Sequence, residues 1–256
     1  MNLMKILKNL AIPLLGILAW EFLAIYLNNQ VILPKVESVV NILLNPGVGL
    51  LGTGNLVENT IISIKRVLIG FFIAAMVAIP LGILMGYYSI VNELIDTPIE
   101  LLRPIPPLAW VPLALAWFGI GESSMHFIIF IGAFFPILLN TISGVRSVPL
   151  IMIEAAKTLG GTTKHILKSV VIPASSPDIL TGLRVGVGIA WMCVVAAEML
   201  PGSDAGLGYL IMYAYLLSRM DVVVASMIVI GIIGILFDKG LRFIEKRYFS
   251  WKKMIK

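Results

Sequence analysis

Charge, cysteine and histidine are all scarce in this sequence of 256 residues, and each shortage excludes something. The single cysteine, Cys193, lies inside an apolar run, so the chain can build neither an internal disulfide nor a thiolate metal centre. His126 and His165 are far apart and lack cysteine or histidine companions, a spacing that suits no metal site. No G-x-x-x-x-G-K-[ST] stretch is present, so the chain has no such loop to cradle nucleotide phosphates. The net charge of +5 comes without a basic stripe interleaved with aromatics, which argues against nucleic acid as a partner. Only 13% of residues are charged, against about 25% in soluble domains.

What replaces the charge is apolar. Hydrophobic residues make up 59% of the chain, and mean hydropathy is +1.00. A soluble core of this size could not hide so much apolar surface from water. The sequence therefore reads as an all-α integral membrane protein. A spanning helix needs about 20 mostly apolar residues, and six stretches qualify, near 10–27, 61–87, 104–120, 124–144, 178–200 and 222–241. The first follows Lys5 and Lys8 but is long for a signal-peptide core, carries Glu21 midway and lacks a small-residue cleavage site before Asn28. It is expected to be a retained anchor. Residues 1–60 would form an N-terminal anchor and extracytoplasmic segment, 61–245 the core, and 246–256 a basic tail.

Six spans put both termini on one side. The cationic residues choose it. Lys5 and Lys8, then Arg146, Lys157, Lys164 and Lys168, then Lys239, Arg242, Lys246, Arg247, Lys252, Lys253 and Lys256 all fall on the side of the termini. The opposite loops hold Lys35 and Arg219, and Lys65 and Arg66 begin span two. Both termini and the loop 145–177 are thus expected to face the cytoplasm.

Small residues recur every four positions in span two, at Gly70, Ala74, Ala78, Gly82 and Gly86, and again in span five at Gly182, Gly186 and Ala190. Such stripes let a neighbouring backbone approach closely, within one subunit or at a seam between two. Span three is different. Arg103-Pro104-Ile105-Pro106-Pro107 opens it and Pro112 is expected to interrupt it. Interrupted helices are tolerated at membrane depth where protein or a water-filled cavity satisfies the freed carbonyls. Arg103, Pro106 and Trp110 are therefore candidates for a pathway wall.

The loop 145–177 reads as two short helices. Ser147 or Val148 can cap the first, with Pro149 in its opening turn, and Gly160 suits its left-handed end. Thr162 or Thr163 can cap the second, which Pro173 is expected to stop. Glu154-Ala155-Ala156, three residues, Gly160, nine residues, then Val170-Val171-Ile172-Pro173 resembles the EAA loop of binding-protein-dependent ABC importer permeases. The family often has isoleucine and leucine where Val170 and Ile172 stand here. Ser63 to Phe71, Leu102 to Leu113, Trp117 to Glu122, Thr181-Gly182-Leu183-Arg184 and Gly206-Leu207-Gly208-Tyr209 look like its sulfonate, taurine and nitrate branch. The likeness runs from about residue 60 to 245.

The resemblance implies a permease subunit in a prokaryotic cell membrane, without a cofactor of its own. It implies that Glu154, Ala155, Ala156, Gly160, Ile172 and Pro173 dock a separate cytoplasmic ATPase. A second permease copy would complete the pathway, and an extracytoplasmic binding protein would deliver a small solute such as a sulfonate, taurine or nitrate. Two ionisable residues in span five are pathway candidates, Arg184 and Glu198. Each has a plainer alternative, Arg184 as a snorkelling anchor and Glu198 as an interfacial group. An ion-coupled secondary transporter would place carboxylates near the midplane and show repeated halves, whereas the acidic residues here sit at span ends and in loops. An intramembrane serine enzyme would need a base near Ser143, and neither histidine is suitably placed.

Overall fold

The computed structural model describes residues 3–248, with side chains from 11 to 247. Lys252, Lys253 and Lys256 of the tail, and the side chains of Lys5 and Lys8, lie outside the described residues. Eleven α-helices follow one another among the described residues, and no strand forms there. The chain divides into two compact units, residues 1–62 with 204–232, and residues 63–203 with 233–256.

The first unit holds α1 (Leu3–Leu27), α2 (Val36–Leu44), the start of α3 (Leu56–Tyr87), α10 (Leu207–Leu216) and the start of α11 (Met220–Tyr248). Glu21, the carboxylate in the first apolar stretch, accepts the Val36 N–H at 2.8 Å and so satisfies an orphan donor at the head of α2. Trp20 donates its indole N–H to the Pro34 carbonyl at 2.9 Å beside it. Asn55 and Glu58 form a reciprocal capping box on α3, each side chain accepting the other's backbone N–H at 2.9 Å. One turn on, buried Asn59 accepts the Gly206 N–H at 2.7 Å and donates to the Thr53 carbonyl at 3.0 Å.

The second unit is organised on α6 (Glu122–Arg146), against which α9 (Ile172–Glu198) packs along much of its length. Glycines make the approach close. A Cβ placed at Gly70, Gly82 or Gly86 of α3 would lie 2.6, 2.7 or 2.6 Å from Ile129, Thr141 or Val145 of α6. On α9, a Cβ at Gly182 or Gly186 would lie 2.8 Å from Asn140 or Ile137. Alpha-helix α6 answers with glycines of its own, Gly132 beneath the Cys193 sulfur and Gly144 beneath Asp178. Ala74, Ala78 and Ala190 are fully buried in the same seams. Both small-residue stripes are therefore used within this chain.

Span three differs from expectation. A single helix over 104–120 is replaced by α4 (Ser89–Leu102), a 3-10 turn at Pro107–Trp110 and α5 (Val111–Phe118), bent by 89° at the prolines. Eight residues of α5 rise only about 12 Å, too little to cross a bilayer alone. Pro112 does not interrupt it. The residue falls in the first turn of α5, where a missing N–H costs nothing.

Among the described residues four helices are long and apolar enough to span a membrane, Leu56–Tyr87, Glu122–Arg146, Thr163–Glu198 and Met220–Arg247, and the bent pair supplies a fifth if it is one span. The described apolar part of α1, Ala11–Leu27, falls short of that length. The third of these four contains a second departure from expectation. Pro173 does not stop the helix that follows Thr162. Instead α8 (Thr163–Ile166) runs through a π turn at Leu167–Val171 into α9, with the Ile172 N–H reaching back to the Leu167 carbonyl. Pro173 sits in the first turn after that change of hydrogen-bond register, where the helix accommodates its missing donor. Pro177 deprives the Pro173 carbonyl of its usual partner, and the Ser176 hydroxyl donates to that carbonyl at 2.7 Å instead.

Candidate functional site

Two places at opposite ends of α6 concentrate the unusual chemistry of the second unit. The first is the loop between α6 and α9. It opens with α7 (Leu150–Thr158), capped by Pro149 itself rather than by Ser147 or Val148. The Ser147 hydroxyl donates to the Gly144 carbonyl instead. At the other end Gly160 takes φ +80°, the Gly160 N–H reaches Lys157 O at 2.9 Å, and the Gly161 N–H reaches Ala156 O at 2.9 Å. This is a Schellman ending, which needs a residue at ease in the left-handed region. Thr162, not Thr163, caps the next helix and accepts the His165 N–H.

The base of the loop is apolar and firmly seated. Val145, Val148, Ile166 and Val171 form a buried cluster, with Ile83, Tyr87, Ile153 and Ala156 packed on it. The opposite side of α7 is bare. None of its residues is fully buried, and Ile151 and the following Leu159 are 73% and 88% exposed. Leu150 and Met152 are exposed as well. Glu154 and Ala155 share that exposure, Ala156 is half-buried against the base, and Ile172 and Pro173 are exposed at the start of α9.

The second place is an ion-pair network. Arg66 of α3, with only 4% of its side chain exposed, donates from Nη1 to Glu198 Oε1 at 3.0 Å. Glu198 is fully buried, and the Ser63 hydroxyl reaches its two oxygens at 2.9 and 2.8 Å. The other edge of the guanidinium grips Glu122 at the head of α6, with Nε 2.9 and 3.0 Å from the two carboxylate oxygens. Ser203 lies 3.4 Å from Nη1, and His126 Nε2 stands 3.8 Å from Glu122. Charge buried in apolar surroundings survives only with such pairing and bonding.

The sequence therefore pointed to Glu198 but not to its company. Glu198 is fully enclosed, in place of the hydrated positions the sequence allowed it. Arg66 looked like a span-edge cation and Glu122 like part of a motif. The available signal was charge at the ends of apolar spans, Arg66, Glu122 and Glu198 among it, a costly arrangement unless such groups meet. Arg184, the other charged candidate in α9, bonds Glu245 of α11 at 2.7 Å. Arg103 is exposed at the 89° bend, Pro106 is exposed beside it, and Trp110 stacks edge-on to Phe127 at 6.5 Å. Among the described residues, no group of side chains is arranged to hold a metal ion.

A glycine-zipped core of membrane-length helices, carrying a helical loop between two of them, places the second unit among helical membrane proteins. Comparison with known proteins makes the assignment specific. Residues 78–250 match the family described as binding-protein-dependent transport system inner membrane component. A putative ABC transporter permease protein of Methanocaldococcus jannaschii is 69% identical over 255 residues, 100% of this chain and 96% of that protein. The taurine transport system permease protein of Escherichia coli is 37% identical over 233 residues, 91% of this chain and 84% of that protein. Among solved structures, the inward-facing methionine ABC transporter MetNI superposes with TM-score 0.67 at 17% identity, covering 75% of this chain and 95% of that one. The chain belongs to the binding-protein-dependent transport system inner membrane component family. It is a transport component of an ABC system and not an enzyme.

Proposed function

We propose that this permease forms half of the pathway of an importer, paired with a second copy, fed by an extracytoplasmic binding protein and driven by a separate cytoplasmic ATPase. In this reading α1 completes six spans, both termini face the cytoplasm, and the loop 145–177 projects into it. The cargo is a small sulfonate such as taurine or a related anion, the chemistry carried in the name of the Escherichia coli relative.

The observation that carries the reading is the two-sided construction of the loop. One side of α7 is rooted in the cluster around Val145, Val148, Ile166 and Val171, while Leu150, Ile151, Met152 and Leu159 stand bare. Apolar side chains grouped on a short helix outside the spans mark a surface that meets another protein. Glu154 adds a carboxylate able to accept charge-assisted bonds from that partner. The bend at Arg103, Pro106 and Trp110 is the proposed pathway wall, since backbone broken at membrane depth must face protein or water.

Co-expression of the chain with a candidate ABC ATPase from its own organism tests this. Gly160→Val forces a β-branched residue to φ +80° and should distort the loop. Glu154→Lys reverses the charge on its exposed side. Each variant should insert and yield protein normally, yet retain less than a tenth of the co-purifying ATPase. Full retention of ATPase in both would show that the loop is not the docking element.

A further inference from the structure

We propose that Arg66 is a positioning residue for the transport cycle. By gripping Glu198 and Glu122 it pins α3, α9 and α6 together at the end remote from the loop 145–177, so that movement delivered at the loop arrives there undiminished. The inference rests on the importer reading above and adds a transmission role to residues it leaves unused.

The geometry separates two kinds of joint. Along their length α3 and α9 meet α6 through glycine seams, at Gly70, Gly82 and Gly86 on one side and Gly182 and Gly186 on the other. Such apolar contacts hold helices close but carry no directional bond, and packed helices can slide past each other by shear. Alpha-helix α6 has 25 residues, about 37 Å of rise, so a displacement at the loop must travel that distance. At the loop end the cluster of Val145, Val148, Ile166 and Val171 locks α6 to the start of α9. At the far end directional bonds occur: the guanidinium bonds one carboxylate from Nη1 and the other from Nε, and Ser63 adds a bond from α3 to Glu198. Glu198 has no exposure, so that arm is fixed, whereas 55% of the Glu122 side chain is exposed. Arg66 and Glu198 therefore form the rigid half of the pin.

The test uses the permease–ATPase complex in lipid nanodiscs, with Mg-ATP and vanadate as the probe. A single cysteine at Ser123, exposed in the first turn of α6, reports the far end in a Cys193→Ser background. With the network intact, its reaction rate with an impermeant maleimide should change several-fold between the nucleotide-free and ATP–vanadate states. Glu198→Gln keeps size but removes charge, and should cut that change below twofold while the ATPase still co-purifies. A purely structural role would lower thermal stability yet leave the nucleotide-linked change intact, and that result would overturn the proposal. Should Glu198→Gln fail to assemble, Ser63→Ala takes its place. An undiminished response in Ser63→Ala would then count against the pin. If the complex co-purifies but shows no nucleotide response with the network intact, no movement reaches this end and the proposal is overturned; failure of the ATPase to co-purify at all would count against the importer reading instead.

Discussion

Two glycines one turn-fraction apart on α9 make opposite predictions. At Gly186 an added Cβ would lie 2.8 Å from Ile137 Cγ1, 3.1 Å from its Cδ1 and 3.2 Å from the Ala133 carbonyl. Comfortable carbon contacts are about 3.5–4.0 Å, so the closest contact would have to open by roughly 0.7–1.2 Å. Ile137 is fully buried and the carbonyl is backbone, so neither yields easily. Overpacking of this kind costs about 1–3 kcal/mol. At Gly188 nothing lies within 4 Å of the same atom. Both substitutions to alanine gain the same helix propensity, about 1 kcal/mol, so their difference isolates the packing cost. Gly188→Ala should melt above the parent, and Gly186→Ala should melt below Gly188→Ala by the equivalent of about 1–3 kcal/mol. Gly186→Leu should be worse than either. Thermal unfolding of the purified protein in detergent micelles measures all three. Equal melting temperatures for the two alanine variants would refute the seam as a close-packed contact.

Two further outcomes follow from particular side chains. Glu21→Ala removes the acceptor from the head of α2, worth about 1 kcal/mol for a cap, so amide exchange across Val36–Leu44 should quicken roughly fivefold; unchanged protection would mean that the bond contributes nothing. Single cysteines at Lys164 and Asn45, in a Cys193→Ser background, test the proposed orientation in intact cells. Position 45 should react with an impermeant thiol reagent and position 164 should not, and the reverse pattern would invert the topology.

What was legible in the sequence was whatever depends on neighbours along the chain. Membership of the permease family could be read from Glu154, Gly160 and Pro173 because their spacing encodes one local unit, a helix, a left-handed ending and a second helix. The four-residue stripes were legible because a helix face repeats at that interval. Their partner was not, since nothing in Gly70 or Gly186 says that both seams close on α6. Proline was the misleading residue. Pro173 and Pro112 were expected to break helices, but Pro112 stands in a first turn, where the donor it lacks would have no intrahelical acceptor, and Pro173 follows a π turn whose changed hydrogen-bond register accommodates it. The same chemistry at Pro104, Pro106 and Pro107 produces the 89° bend because three prolines within four positions leave no helix to join.

The ion network was hidden for a different reason. Arg66 pairs with residues 56 and 132 positions away, so no window along the chain contains the arginine and either of its carboxylates. Taken singly, each charge has a bland interpretation at a membrane edge, and lysines or arginines there usually do reach for headgroups. Burial reverses that inference. A glutamate without exposure cannot be solvated by water or headgroups, so its charge is tolerable only because a guanidinium and a hydroxyl replace the lost solvation. An apolar trio at the same positions would pack with less cost, as replacements of buried ion triads by hydrophobic residues show in soluble proteins. What an apolar trio cannot supply is direction: guanidinium–carboxylate bonds fix angle as well as distance. Where α3 and α9 otherwise meet α6 through smooth glycine seams, that is the property a pin requires, and it is why charge at this end of α6 is better explained by register than by stability.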